Sequence, residues 1–328
     1  MPIVERELTR KRHPTERRNP TLYPSSASVK LANGRQIGGC WRADWYRIHD
    51  VPDSDPSNLY IKLSHILGNA VEKAIIEGMK RAGIYEHEDV RVYVKDFNLS
   101  GKLDIVGRYR ADDSSTRYYG TEAKSCWGQG ALKHIKGRAR PWKGQPAFQP
   151  KPKDSALMQT MIYLWECSEG KGTDFVLDWF QLIYIPRDQT GMYREYTVTL
   201  VEIDGKHYAK LETEDFLPYI EKRFSVEDIY ASTEEEMRYI NEGIIPERTY
   251  KRFYSEEEIE ALRDEEEIGK TAYEDWVKAG KPLASLKDTP GHFLCQSYCE
   301  YRSFCYLRNG KPNPEADLVG IREGALNG

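Results

Sequence analysis

The sequence predicts a mixed α/β domain, on three observations. Helical and strand periodicities follow one another between about residues 60 and 205 as helix, three strands, helix, two strands. Apolar residues make up 39% of the 328, with Tyr and Trp well represented, which is enough for a sizeable core. Charged residues reach 30%, and no run approaches the roughly 20 apolar residues that span a bilayer, so a membrane protein is excluded. Length alone admits two average domains or one elaborated domain, and the element order favours one.

Residues up to about Pro24 read as a flexible arm carrying Arg6, Arg10, Lys11, Arg12, Arg17 and Arg18. The arm lacks the apolar stretch of a secretory signal, so a cytoplasmic location is expected. SSASVKLANGRQIGGCWRADWYRIH reads as an early helix or turn-rich segment bearing Cys40. HILGNAVEKAIIEGMKRAG is helical, because Leu67, Val71, Ala74, Ile75, Gly78 and Met79 form one stripe, and Gly83 ends it. VRVYVKDF, KLDIVGRYR and RYYGTEAKS alternate as three strands, with a turn near Ser100 and Gly101. Trp127 to Pro152 is basic and rich in Pro and Gly, and reads as a long loop.

DSALMQTMIYLWEC is helical, with Asp154 or Ser155 as the expected N-cap. FVLDWFQLIYI and YREYTVTLV supply two further strands. From Glu212 to about Leu286 the pattern is charged and helical, and Ser255 with Glu258 forms a capping-box pattern. There is no internal repeat. The expected organisation is a basic arm over 1–25, one domain over 26–310 and a tail over 311–328. Within the domain, a core spans about 60–205, a helical elaboration about 206–290 and a cysteine cluster 291–310 that pairs with Cys40.

The net charge of −4 conceals local patches. Besides the arm, Lys133, His134, Lys136, Arg138, Arg140, Lys143, Lys151 and Lys153 are interleaved with Trp142 and Phe148, and EEEIEALRDEEE cancels them in the total. Six cysteines in a reducing compartment argue for metal ligation rather than disulfides. Cys126 and Cys167 read as ordinary buried or half-buried thiols. Cys40, Cys295, Cys299 and Cys305 read as ligands of one metal centre. Ligation from both ends closes a very long loop, so metal-binding free energy becomes folding free energy.

Glu122 and Lys124 lie two apart on a strand and leave the same face, where apolar alternation would place hydrophobes. An unpaired charge buried there is costly, so the two are paired, solvated or functional. Asp104, between Leu103 and Ile105 on a neighbouring strand, is a candidate for the same face. Carboxylates suit Mg²⁺ or Mn²⁺, which can activate a water and offset charge on a phosphate, and an adjacent lysine can orient that water.

This arrangement resembles the PD-(D/E)XK nucleases of the RecB type. Asp104 in GKLDIVG matches the family's Asp strand, Glu122 and Lys124 match its Glu-x-Lys strand, and Gln159 with Tyr163 in MQTMIY matches its Gln-x3-Tyr helix. The family usually carries Gly-x3-His on the first helix, whereas this chain has Gly68 and Glu72. A carboxylate can replace imidazole on a hard cation, and His65 is a weaker substitute. One early and three late cysteines resemble the iron–sulfur branch, which includes the AddB-type nuclease and the CRISPR-associated four-cysteine exonucleases. The late spacing here is C-x3-C-x5-C, where that branch has C-x2-C-x5-C.

The resemblance implies a restriction-endonuclease-like mixed sheet flanked by helices, closed by a four-cysteine [4Fe–4S] site, with zinc on four thiolates as the alternative. It implies a Mg²⁺- or Mn²⁺-dependent DNA exonuclease acting on single-stranded ends, with Glu72, Asp104 and Glu122 on the metal and Lys124 on water. Gln159 and Tyr163 would touch DNA. The insert's Lys136, Arg138, Arg140, Trp142 and Lys143 would overhang the cleft, where cations meet phosphates and aromatics stack on bases. A helicase, recombinase or CRISPR-adaptation partner is compatible, and no membrane is expected. The alternative is a DNA-binding or assembly subunit that has lost catalysis, with Glu72 as the trace. A zinc-stabilised interaction module leaves the Glu-x-Lys strand unexplained.

Overall fold

The computed structural model describes residues 21–32, 34–51, 59–126, 134–137, 149–168, 173–188, 192–249, 254–264, 268–281, 299–301, 305, 307–308 and 311–312. The expectations for the basic arm, Arg138, Arg140, Trp142, Lys143, Phe148 and Cys295 lie outside the described residues. In chain order the elements are β1 (Ser28–Lys30), β2 (Gln36–Gly38), α1 (Trp41–Ile48), α2 (Leu59–Ala82), β3 (Tyr85–Val94), β4 (Leu99–Arg110) and β5 (Thr116–Cys126). There follow α3 (Asp154–Ser168), β6 (Leu177–Pro186), β7 (Arg194–Ile203), β8 (Lys206–Thr213), β9 (Phe216–Glu221), α4 (Val226–Asn241), α5 (Glu256–Asp264), α6 (Lys270–Lys278), β10 (Leu307–Arg308) and β11 (Lys311–Pro312). The protein is thus α/β, and among the described residues no helix is long and apolar enough to cross a membrane.

The chain divides into two compact units. One comprises Pro20–Gly39 and Leu63–Ile244. Its seven-stranded sheet runs in sequence order from β3 to β9. Neighbouring strands are antiparallel except β5 and β6, which are parallel. A parallel pair needs a crossover connection, and α3 lies within it. The α2 side of the sheet buries Ile76 and Met79 against Ile105 and Tyr119, and Trp179 stacks on Tyr119 at 4.2 Å. Helix α3 is buried almost all round, as its unbroken run from Ala156 to Leu164 requires. It packs on β6 and β7 and against α4 and β2.

The second unit joins Cys40–Lys62 to the chain from Ile245 onward. Tyr254, Ile259, Leu262, Ile268 and Trp276 form its own small core, held by α5 and α6. The expected capping box opens α5: Glu258 N donates to Ser255 Oγ at 3.3 Å, and Ser255 N donates to Glu258 Oε2 at 2.9 Å. Gly83 closes α2 as expected, with Gly83 N on the Lys80 carbonyl and Ile84 N on the Met79 carbonyl, both at 3.1 Å.

Four expectations about elements are corrected. The early segment contains the expected helix, α1, capped by Cys40, but a hairpin with Val29 opposite Ile37 precedes it where no strands were expected. Structure begins ahead of Pro24, where Leu22 bridges to Leu99. The cap of α3 is Lys153, whose carbonyl accepts from Ala156 and Leu157, rather than Asp154 or Ser155. Most consequentially, residues 206–221 are strands rather than the start of a helical elaboration, so the second half of the sheet has four strands where two were expected. The Lys and Glu of β8 read as helix-like composition, but Lys206 is exposed and Lys210 and Glu212 are half-buried on the sheet, while Ala209 and Leu211 between them are buried.

Candidate active site

Strands β4 and β5 pair from Arg110↔Thr116 down to Ile105↔Thr121, where their ladder stops. Beyond it, β4 from Leu103 to Leu99 stays paired with β3, and β5 from Glu122 to Cys126 stays paired with β6. The sheet therefore forks. One step past the last pair, Asp104 stands across from Glu122 at the crotch of the fork. Opposed residues of an antiparallel pair share a face, which brings the two carboxyl groups into direct hydrogen-bonding range. Asp104 Oδ2 accepts from Ala123 N at 3.3 Å, taking an amide that the ladder no longer serves.

Lys124 enters the same site. Its ammonium is hydrogen-bonded to Glu122 Oε1 and donates to Gln159 Oε1 at 3.2 Å. An ammonium has three donors, so among the described residues one is left for a water or ligand oxygen. Helix α3 seals the fork from below. Tyr163 OH donates to the Lys102 carbonyl at 3.1 Å, and Gln159 Nε2 lies 3.5 Å from that hydroxyl. A side chain at position 101 would strike Tyr163: a Cβ there would sit 2.4 Å from its hydroxyl, so Gly101 is what lets the tyrosine reach β4.

The electrostatics follow from burial. Glu122 is 3% exposed, and its Oε2 is buried with no hydrogen-bond donor among the described residues. Burial pushes its carboxyl up to about 7, against the pull of the Lys124 ammonium, and the Asp104 carboxyl adds to the rise. Burial also raises Asp104, with Lys124 and the Ala123 amide opposing. Two facing carboxyl groups hold either a shared proton or a cation, and an oxygen donor set of this kind suits Mg²⁺ or Mn²⁺.

Glu72, on α2, is half-buried. Its carboxyl is raised by burial first and then by the Asp104 charge, so it acts on the site electrostatically. Gly68 lies one turn earlier against Ser125 of β5, and His65 is exposed. Among the described residues no three His, Cys, Asp or Glu side chains gather closely enough to hold a metal ion. Asp104 and Glu122 are thus brought together, and Glu72 is near without joining them.

Gln159 and Tyr163, expected to touch DNA, lie on the buried side of the fork. They are 5% and 1% exposed and spend their polar atoms on Lys124 and on β4. Lys136 is exposed, at the end of a described turn pinned by Tyr196 OH to the His134 carbonyl at 2.7 Å and by Arg194 Nε to the Ile135 carbonyl at 2.8 Å. Two residues beside the carboxyls escaped the sequence reading. Lys102, two before Asp104 on β4, pairs with Asp89 of β3 at 2.5 Å. Their one signal was Lys102's place in GKLDIVG.

In the other unit, Cys40 and Cys305 are brought within electrostatic range. Burial pushes the Cys40 thiol up, and the charge of Cys305 adds to the rise. Arg248 Nε donates to Cys305 Sγ at 3.3 Å and Arg42 Nη1 at 3.8 Å, contacts that sequence reasoning missed although Arg42 follows Cys40 by two. Cys299 is half-buried in the same unit. Cys126 is half-buried and Cys167 buried, both as expected. No family model matches this chain, and no curated protein matches it.

Proposed function

We propose that this protein is a Mg²⁺- or Mn²⁺-dependent deoxyribonuclease of the PD-(D/E)XK kind, RecB type, acting on single-stranded DNA ends. The observation that supports it is the buried Asp104–Glu122 carboxyl pair at the strand fork, with Lys124 hydrogen-bonded beside it. Asp104 and Glu122 would hold the ion, and Glu72 would add negative charge from α2. When bound, the ion supplies a water of lowered pKa and offsets charge on the phosphate under attack. Lys124 orients that water through its remaining N–H, while Gln159 fixes the ammonium and Tyr163 fixes β4. The fork shields these groups from bulk water, which strengthens each interaction.

The same reading takes Cys40, Cys295, Cys299 and Cys305 as holding a structural [4Fe–4S] cluster, with zinc as the alternative. Its support is the approach of Cys40 to Cys305. Guanidinium donors on the Cys305 sulfur are of the kind that stabilise a ligating thiolate. Protein purified without oxygen should be brown, and colourless protein with stoichiometric zinc rejects the iron–sulfur assignment.

The deciding experiment is cleavage of end-labelled single- and double-stranded DNA with and without Mn²⁺. Lys124→Ala should lower the rate by about two to three orders of magnitude, the scale of losing one preorganised donor, with fold and metal content intact. Undiminished cutting by that variant removes the proposed role. Glu72, standing where the resembled family usually has His, favours one second reading, a DNA-binding subunit without catalysis. Metal-independent DNA binding with no cleavage by the wild type would establish it.

A further inference from the structure

Lys102 is a cation that the mechanism above does not use. Its backbone is pinned, because its carbonyl accepts from Tyr163 OH and its neighbours pair with β3. Its side chain, 56% exposed, reaches solvent at the lip of the fork, where it pairs with Asp89. The ammonium acts electrostatically on both Glu72 and Asp104. Lys124 differs, since two of its donors already serve Glu122 and Gln159 inside the fork.

Asp89 lies across from Asp104 between the pairs Glu88↔Ile105 and Val90↔Leu103, with φ of 60°, in the left-handed region that aspartate enters more readily than most residues with a Cβ. The left-handed residue is the one whose carboxylate holds Lys102.

A nucleic acid approaching this site meets the carboxylates of Glu72, Asp89 and Asp104, which repel its phosphates, and the cations Lys102 and Arg91, which stand across from one another on β4 and β3. An ion held by Asp104 and Glu122 would serve the phosphate being cut and would leave its neighbour without a counter-charge from those two carboxyls. Two residues along a strand span about 7 Å, comparable with the separation of successive phosphates along a nucleic-acid chain. Resting on the nuclease reading, we infer that Lys102 binds the phosphate adjacent to the scissile one, and that Asp89 is a positioning residue that holds its ammonium at the lip until the strand arrives.

The test measures binding of a labelled oligothymidylate to the full-length protein by fluorescence anisotropy, in Ca²⁺, over a series of salt concentrations. Lys102→Ala should weaken binding and lower the slope of log affinity against log salt by about one, the signature of one lost phosphate contact. Lys102→Arg should restore most of that slope. In Mn²⁺, Lys102→Ala should raise KM with little change in kcat, because the contact forms in both ground and transition states. A wild-type affinity and slope in Lys102→Ala overturn this inference alone. If the wild type binds no oligonucleotide under any of these conditions, the inference and the nuclease reading fall together.

Discussion

A carboxyl with one oxygen on an ammonium and the other facing a second carboxyl does not keep its ordinary acidity. Because the folded-state pKa of Glu122 lies above its ordinary value of 4.5, the fold favours the neutral acid. That contribution to stability is complete below about pH 4.5 and is lost as pH climbs through 7. A divalent ion must displace the same proton. Affinity for Mn²⁺ should therefore fall by up to about tenfold per pH unit below 7. Raised Asp104 and Glu72 act in the same direction. Thermal unfolding with and without Mn²⁺ across pH 5–8 checks this. Glu122→Gln, which cannot titrate, should lose both the pH-dependent decline and most of the Mn²⁺ response, and an unchanged response in that variant removes Glu122 from the metal site. Tyr163 makes a separate prediction. Removing its hydroxyl orphans the Lys102 carbonyl inside the fork, so Tyr163→Phe should destabilise the protein by about 1–3 kcal/mol in urea unfolding. A wild-type midpoint and slope would mean that water replaces the hydroxyl at no cost.

Among the elements, helix α4 shows how far a local pattern reaches. Ser225 Oγ accepts from Asp228 N at 3.1 Å, and Ser225 N donates to Asp228 Oδ2 at 2.9 Å, a complete capping box at a fully buried serine. Ser225→Ala should cost about 1–2 kcal/mol by the same urea measurement, while an exposed cap would cost less. The box at Ser255 and Glu258 was legible in the sequence, and the equivalent at Ser225 and Asp228 was not, because the surrounding charge run reads as helix from Glu212. A strand signal was nonetheless present. Asp204 and Gly205 both take positive φ, 52° and 76°, and Asp-Gly between alternating residues is the strongest short hairpin signal a sequence carries. Strands β3 to β7 were readable because one face of each is apolar. The pairing that creates the fork was not readable, since it depends on where one ladder stops. For that reason Asp104, Glu122 and Lys124 could be named from their strand positions and Gln159 from the resemblance alone, whereas the burial of Tyr163 and the places of Lys102 and Asp89 could not.

At the scale of the whole molecule, the two units draw on the chain differently. The sheet unit is nearly one continuous stretch, while the other is assembled from the segment after Gly39 and the segment after Ile244. Among the described residues it buries one cluster of Tyr254, Ile259, Leu262, Ile268 and Trp276, all from the later segment, and Trp41 and Tyr46 from the earlier one. Within it, Cys40 and Cys305 come from different segments, and a metal held by both would close the loop between them and add its binding free energy to folding. The carboxyl pair lies wholly in the sheet unit. Calorimetry of the full-length protein should therefore resolve two transitions with separate ligand responses. Mn²⁺ should raise the transition of the sheet unit and leave the other in place. Cys305→Ala, or removal of the metal proposed for the thiols, should lower the other transition and leave the Mn²⁺-sensitive one in place. A single transition that both treatments move by the same amount would show that the units unfold as one body, and would separate the thiols from any independent structural role.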